Sequence, residues 1–134
     1  LSLADLLATA DVVSLHVPAM PSTFHLISPR TLALMRPGVY LVNCARGSLV
    51  DQPALLDALD AGHVAGAALD VTDPEPLPPG HPLLEHRRVI VTPHVASSTV
   101  AGRRRLYAQA IENALAVLSG RPATVVPTPA AGGD

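Results

Sequence analysis

Four short apolar runs are spaced along the chain, and segments with helical spacing of apolar residues lie between them. The runs are Val12–Leu15, Val39–Val42, Ala65–Leu69 and Val89–Val91. Proline or glycine lies within a few residues of each run. Continuous apolar runs of this length are typical of parallel strands inside a sheet. We therefore predict four buried β-strands.

Helix signals fall between these runs, so strands and helices alternate. Helices are predicted up to Ala8, from Ser28-Pro29, from Asp51 to Gly62, and from about Ser98 to Leu118. Serine and aspartate are favoured N-caps, proline is favoured at the first helical position, and glycine is favoured past the end. Residues 73–82 contain five prolines, which predict a loop. The alternation predicts an α/β fold with a parallel sheet, equal to half or two-thirds of a doubly wound sheet.

Composition narrows the classes of function. The 134 residues are 49% hydrophobic and 15% charged, as in a globular domain. The net charge of −2 gives no basic face large enough for nucleic acid, so the Arg103–Arg105 cluster indicates a solvated helix face or a partner contact. No stretch approaches the roughly 18 apolar residues of a membrane span.

Cysteine and histidine spacing gives no sign of a metal site. Cys44 is the only cysteine, which excludes a disulfide framework and a cysteine-based zinc site. A single cysteine fits a reducing cytoplasm, where we expect the protein to be. The absence of lysine and the abundance of Ala, Arg and Pro favour a bacterial source. Because the sequence begins at Leu1 rather than Met, we expect it to be part of a longer protein.

Three charged or titratable residues follow three of the predicted strands: Arg46, Glu75 and His94. Ligands of open α/β sheets bind outside the carboxyl ends of the strands, so these groups can converge on one small anion. Arginine offers a planar fork for a carboxylate, and histidine suits acid–base chemistry. A glutamate beside His94 would fix its tautomer and favour its protonated form. Each residue taken alone also fits an ordinary solvated loop position.

Two further polar residues end strands. Asp70 is a polar contact for a ligand amide or a simple loop cap, and residue type does not separate these alternatives. His16 is interpreted as a loop residue near a ligand. No G-x-G-x-x-G phosphate turn occurs in the sequence, so a dinucleotide's pyrophosphate site is absent or lies upstream of Leu1.

The segments around these residues resemble the D-isomer-specific 2-hydroxyacid dehydrogenases, in particular the phosphoglycerate dehydrogenase and glyoxylate/hydroxypyruvate reductase branch. In family order they are ADVVSLHVPAMPST, LMRPGVYLVNCARGSLVDQPALLDAL, GAALDVTDPEPLP and HRRVIVTPHVASST. They reach to about Pro127. Four ordered motifs with compatible spacing are a far more specific signal than any one of them.

The resemblance implies roles for individual residues. Arg46 would bind the substrate carboxylate, His94 would donate the proton to the 2-oxo group, and Glu75 would pair with His94. Contacts with the nicotinamide end of NAD or NADP are implied for His16, Val17, Pro18, Cys44, Ala45 and Asp70. The implied reaction is hydride transfer between the nicotinamide and a small 2-hydroxy or 2-oxo acid.

The resemblance also implies a Rossmann-like domain that lacks its first βαβ unit. We expect residues 1–121 to be the C-terminal part of a dinucleotide-binding domain with its interdomain helix. Residues 122–134 would be a flexible tail that rejoins a substrate domain. The complete protein would be a homodimer, and the isolated chain would be inactive.

Two other interpretations stay open at the level of sequence. A cofactor-sensing binding protein or corepressor on the same fold can carry the same three residues. The chain can also be a half-domain without a function of its own. The choice between NAD and NADP, and the substrate, depend on segments that this sequence does not contain.

Overall fold

The structure is a computed structural model that describes residues 1–123, and its contacts divide the chain into two units after Ala96. The helices of the first unit are α1 (Leu3–Thr9), α2 (Pro29–Leu34), α3 (Gln52–Asp60) and α4 (Pro82–Glu85). Its strands are β1 (Val12–Leu15), β2 (Val39–Asn43), β3 (Val64–Leu69) and β4 (Val89–Val91). In the second unit the described residues contain the helix α5 (Val100–Leu118).

The four strands form one parallel sheet in the order β1-β2-β3-β4. Val13 pairs with Leu41, which in turn pairs with Ala67, so the register carries across the sheet. The α/β fold with a parallel sheet is therefore confirmed. All four predicted strands are present, with bounds that differ from the prediction by one residue at most.

The prediction that all four strands are buried is wrong for one face of the sheet. Val13 and Leu41 point into the core, whereas Val12, Tyr40 and Ile90 on the opposite face are each more than half exposed. An apolar run shows that a strand can be covered on both faces. It does not show that both covers are present within the same stretch of chain.

The core lies between the buried face of the sheet and the helices α1, α2 and α3. Leu7, Leu32, Leu55 and Leu59 are almost completely buried there. The helix starts are confirmed at their caps, because Ser28 accepts a hydrogen bond from the Thr31 N–H and Asp51 accepts one from the Ala54 N–H. This packing fixes the carboxyl edge of the sheet, from which the candidate residues project.

Three short elements were not predicted. The helix α4 begins inside the proline-rich segment, and single-turn 3-10 helices cover Pro21–Thr23 and Gly47–Leu49. Each is too short to leave a periodic pattern.

The helix α5 starts at the expected place, with Thr99 as its N-cap. None of its residues is buried. Among the described residues no helix is both long and apolar enough to cross a membrane. The predicted tail starts at residue 122, and residues 124–134 of it lie outside the described part of the chain.

Candidate active site

Three loops leave the carboxyl ends of neighbouring parallel strands. The turn after β2 carries Arg46, the proline-rich loop after β3 carries Glu75, and the turn after β4 carries His94. Because all strands are parallel, these loops lie along the same edge of the sheet.

Glu75 and His94 meet directly. Glu75 Oε1 lies 2.6 Å from His94 Nδ1, a short contact for a charge-assisted hydrogen bond. The contact assigns the proton of a neutral imidazole to Nδ1 and leaves Nε2 for a ligand. The side chains are 49% exposed for His94 and 40% for Glu75. Water screens an ion pair this open, so its contribution to stability is small.

The backbone of His94 is held in the left-handed region, with φ of 53°. Non-glycine residues adopt this conformation uncommonly, and histidine tolerates it better than most. The His94 N–H donates to the Asp70 carbonyl at 2.9 Å. The Asp70 carboxylate accepts hydrogen bonds from the N–H groups of Val95 and Ala96, each at 2.8 Å, and from the Thr92 hydroxyl. Asp70 therefore builds the turn that presents His94.

The charge of Asp70 is favoured by these contacts. Burial raises the pKa of Asp70, which is only 5% exposed. The hydrogen bonds from Thr92, Ala96 and Val95, and the nearby charge of His94, more than offset burial and hold this pKa below its ordinary value of 3.8. The carboxylate is thus ionised in the folded chain and accepts three hydrogen bonds. Its predicted contact with the cofactor stays a prediction.

Arg46 lies on a turn that the Asn43 side chain holds through two hydrogen bonds. The Asn43 side chain is completely buried; its Nδ2 donates to the Arg46 carbonyl at 2.8 Å and its Oδ1 accepts from the Ala45 N–H at 3.0 Å. The exposed guanidinium of Arg46 donates through Nη1 to the Ala45 carbonyl. No hydrogen bond or ion pair joins Arg46 to Glu75 or His94 among the described residues. The remaining guanidinium donors are available for an anion.

The Arg46 turn rests on the loop that leads to Glu75. A Cβ added to Gly47 would lie 2.0 Å from the Thr72 carbonyl oxygen and 2.7 Å from the Asp73 nitrogen. Only glycine permits two backbones to approach so closely. The contact fixes the spacing between the turn that carries Arg46 and the loop that carries Glu75.

The residues expected near the nicotinamide lie on two neighbouring loops. Exposed positions are His16, Val17, Pro18 and Cys44, and Ala45 is partly buried. The loop after β1 is ordered by Thr23, whose hydroxyl donates to the Pro18 carbonyl at 2.8 Å and accepts from the Met20 N–H at 2.8 Å. His16 Nε2 lies 2.8 Å from the Ser14 hydroxyl. His16–Pro18 follow β1, the strand next to β2, and Cys44 and Ala45 belong to the Arg46 turn itself. Their cofactor contacts stay predictions.

Sequence reasoning missed the residues that support the site: Asn43, Gly47, Thr72 and Thr92. Asn43 left one usable signal, since it is a polar residue at the end of an otherwise apolar strand. Thr72 and Thr92 left none, because their partners are set by the packing of loops. The Thr72 hydroxyl, for example, donates to the Pro74 carbonyl at 2.9 Å.

Together these groups can bind an anion and move a proton beside it. Arg46 offers donors to a carboxylate, and His94 Nε2 can exchange a proton with an oxygen while Glu75 stabilises the imidazolium. No group of three His, Cys, Asp or Glu side chains suited to a metal ion occurs among residues 1–123.

Comparison with known proteins identifies the family to which the chain belongs. Residues 1–96 match the family profile described as D-isomer specific 2-hydroxyacid dehydrogenase, NAD binding domain. The chain is 48% identical over 118 residues to glyoxylate reductase of Thermofilum pendens, covering 88% of this chain and 35% of that protein. It is 43% identical over 118 residues to D-3-phosphoglycerate dehydrogenase of Bacillus subtilis, covering 88% and 22%.

A solved structure shows the same fold. The D-isomer-specific 2-hydroxyacid dehydrogenase of Xanthobacter autotrophicus Py2, in complex with NADPH and MES, superposes with a TM-score of 0.81 at 40% identity, covering 90% of this chain and 49% of that one. The chain thus spans less than half the length of each of these three proteins. It belongs to the D-isomer-specific 2-hydroxyacid dehydrogenase family, and residues 1–96 correspond to that family's NAD-binding domain.

Proposed function

We propose that the protein carrying this chain is an NAD- or NADP-dependent oxidoreductase that interconverts a small 2-hydroxy acid and its 2-oxo acid. The observation that carries the proposal is the 2.6 Å contact between Glu75 Oε1 and His94 Nδ1 at the carboxyl edge of the sheet. It leaves Nε2 directed away from Glu75, as a proton donor to an oxo group must be.

In reduction, the imidazolium of His94 donates its Nε2 proton to the 2-oxo oxygen. Glu75 lowers the cost of carrying that positive charge, because its carboxylate lies against Nδ1. In oxidation the neutral imidazole takes the hydroxyl proton back through the same nitrogen.

Arg46 serves as the carboxylate anchor. Its exposed guanidinium is carried by a turn whose Arg46 carbonyl accepts a hydrogen bond from Asn43. At Gly47 the same turn packs against the loop that leads to Glu75. A carboxylate held by two parallel N–H donors is fixed in orientation as well as position. The anchor therefore sets which atom of the substrate reaches His94.

The residues present fit the nicotinamide end of a dinucleotide. His16, Val17, Pro18 and Cys44 are exposed at the same edge of the sheet as Arg46, which is where ligands of an open α/β sheet bind. When bound, the nicotinamide would supply or accept the hydride. The sequence has no Gly-rich turn for the pyrophosphate, so we propose that other parts of the protein hold that group.

The finer assignments are also proposals. A reducing location in the cytoplasm fits the single exposed Cys44. We propose a bacterial homodimer as the working form, to be checked by light scattering on the complete protein. The related proteins carry two different enzyme names, glyoxylate reductase and D-3-phosphoglycerate dehydrogenase. The substrate of this protein is therefore to be found by assay.

The deciding experiment measures consumption of NADH and of NADPH by the complete protein with glyoxylate, hydroxypyruvate and pyruvate. We expect turnover with at least one acid and one cofactor. It should fall about 10²–10⁴-fold in His94→Ala, which lacks the proton carrier. It should also be severely reduced in Arg46→Lys, because a point charge does not reproduce the arginine fork. Cofactor binding without turnover of any acid would instead favour a cofactor-sensing binding protein on the same fold.

A further inference from the structure

Gln52, the first residue of α3, is buried although it is polar. It is only 7% exposed. Its Nε2 donates a hydrogen bond to the backbone carbonyl of Asp73, 21 positions along the chain. Nothing in the assignment of Arg46, Glu75 and His94 uses this residue.

The other end of the Gln52 amide is unpaired. Its Oε1 is buried and has no hydrogen-bond partner among the described residues. The orientation is fixed because turning the amide over would point Oε1 at the Asp73 carbonyl, oxygen against oxygen. An apolar side chain of similar size would fill the space without burying an unpaired oxygen. Packing alone therefore does not explain a glutamine here, whereas its one hydrogen bond does.

That bond lies at the entrance to the loop that carries Glu75. Asp73 precedes Glu75 by two residues. The same entrance is held by the Thr72 hydroxyl, which donates to the Pro74 carbonyl at 2.9 Å, and by the stacking of Gly47 on Thr72. Of these supports, the Gln52 bond is the one that ties the loop to a helix of the core.

We propose that Gln52 is a positioning residue: its hydrogen bond to the Asp73 carbonyl holds the following loop where the Glu75 carboxylate reaches His94 Nδ1. The proposal rests on the oxidoreductase function argued above, since it concerns the same proton carrier. It adds a residue outside the substrate and cofactor surface. Because the Arg46 turn stacks on the same loop entrance, Gln52 also keeps the proton carrier in register with the anchor.

The test uses Gln52→Met, which keeps the length and removes the donor, and Gln52→Glu, which keeps the shape and presents an acceptor to the Asp73 carbonyl. In the complete protein we expect kcat to fall about 10- to 10²-fold in both, as for a reacting group misplaced by about 1 Å. The KM for the 2-oxo acid should change little, because Asn43 still holds the turn that carries Arg46. Ala54→Gly is the matched control, since it weakens α3 without touching Asp73.

A second readout does not depend on turnover. The ring nitrogens of ¹⁵N-labelled His94, assigned with His94→Ala and measured at mildly alkaline pH, report the tautomer of the neutral imidazole. Pairing with Glu75 selects the Nδ1–H form. We expect this form in the wild type and in Ala54→Gly, and a mixture of tautomers in Gln52→Met and Gln52→Glu.

The outcomes separate the two proposals. A protein that turns over no 2-oxo acid, yet changes its His94 tautomer when Gln52 is replaced, contradicts the oxidoreductase function and supports the positioning role. Wild-type kcat and an unchanged tautomer in a folded Gln52 variant overturn the positioning role. A loss of kcat equal to that of Ala54→Gly, with the tautomer unchanged, also overturns it, because the effect would then be one of stability alone.

Discussion

At the scale of single residues, the Glu75–His94 pair has the geometry for proton transfer and contributes little to folding. Both side chains are about half open to solvent, and exposed ion pairs contribute roughly 0–1 kcal/mol. We expect His94→Ala to cost about 10²–10⁴-fold in kcat, the usual worth of a general acid–base group, while the melting temperature stays nearly unchanged. Steady-state kinetics and thermal melts of the same preparations check this. A folded His94→Ala protein with wild-type turnover would remove His94 from the mechanism.

Asp70, in contrast, contributes to folding, since it is buried and its hydrogen bonds hold the turn that carries His94. Because its pKa in the folded chain is below the ordinary value of 3.8, folding favours the ionised carboxylate. The stabilisation is present at pH above 3.8 and is lost as the pH falls through the lowered folded pKa. At neutral pH, Asp70→Asn should lower the free energy of unfolding by roughly 1.5–3 kcal/mol, the usual contribution of a hydrogen bond to a charged group.

Urea unfolding of the wild type and of Asp70→Asn at a series of pH values measures this difference. The gap between the two proteins should be widest near neutral pH and should narrow as the pH falls below 3.8. A gap that is constant from neutral to strongly acidic pH would mean that the charge of Asp70 does not matter to folding. The lost hydrogen bonds would then account for the whole effect.

At the scale of elements, the stacking of the Arg46 turn on the Glu75 loop depends on Gly47. Gly47→Ala places a methyl group 2.0 Å from the Thr72 carbonyl oxygen. The contacting atoms belong to the backbone, which cannot rotate away as the end of a flexible side chain can. We expect a loss of about 3 kcal/mol or more, at the upper end of overpacking effects. Chemical denaturation of this chain measures it.

Gly38→Ala is the control for Gly47→Ala. Gly38 has φ of 85° with nothing near its missing Cβ, so the substitution adds backbone strain without a collision. It should cost about 1 kcal/mol. Equal losses at the two positions would show that the close approach at Gly47 relaxes without cost. The spacing between the loops would then be softer than the structure indicates.

The strands and longer helices could be predicted because their signals are local. Ser28 and Asp51 cap helices within three residues of themselves, and the apolar runs mark strands. The support of the site could not be predicted, because it depends on contacts distant in sequence. Asp70 receives the Ala96 N–H across 26 positions, and Gln52 reaches the Asp73 carbonyl across 21. The pairing of Glu75 with His94 was expected only through the family resemblance, since spacing alone does not bring two loops together.

At the scale of the whole molecule, the chain carries the residues proposed to transfer a proton and to bind an anion, but its sequence has no Gly-rich phosphate turn. It covers 35% of the glyoxylate reductase and 49% of the solved relative. In a doubly wound fold the pyrophosphate sits at a Gly-rich turn and the N-terminus of the helix that follows it. The contacts proposed for the loops at His16–Pro18 and Cys44–Ala45 concern the nicotinamide end alone.

We therefore expect residues 1–134 by themselves to bind NADH and NADPH with a Kd weaker than about 1 mM, a binding free energy no better than about −4 kcal/mol. The complete protein should bind one of them much more tightly, because a pyrophosphate site adds charge-assisted hydrogen bonds from backbone N–H groups. Calorimetric titration of both proteins with both cofactors makes the comparison. Micromolar binding by the isolated chain would show that the loops at the sheet edge hold a dinucleotide without a Gly-rich turn, and the division of the cofactor site proposed above would be wrong.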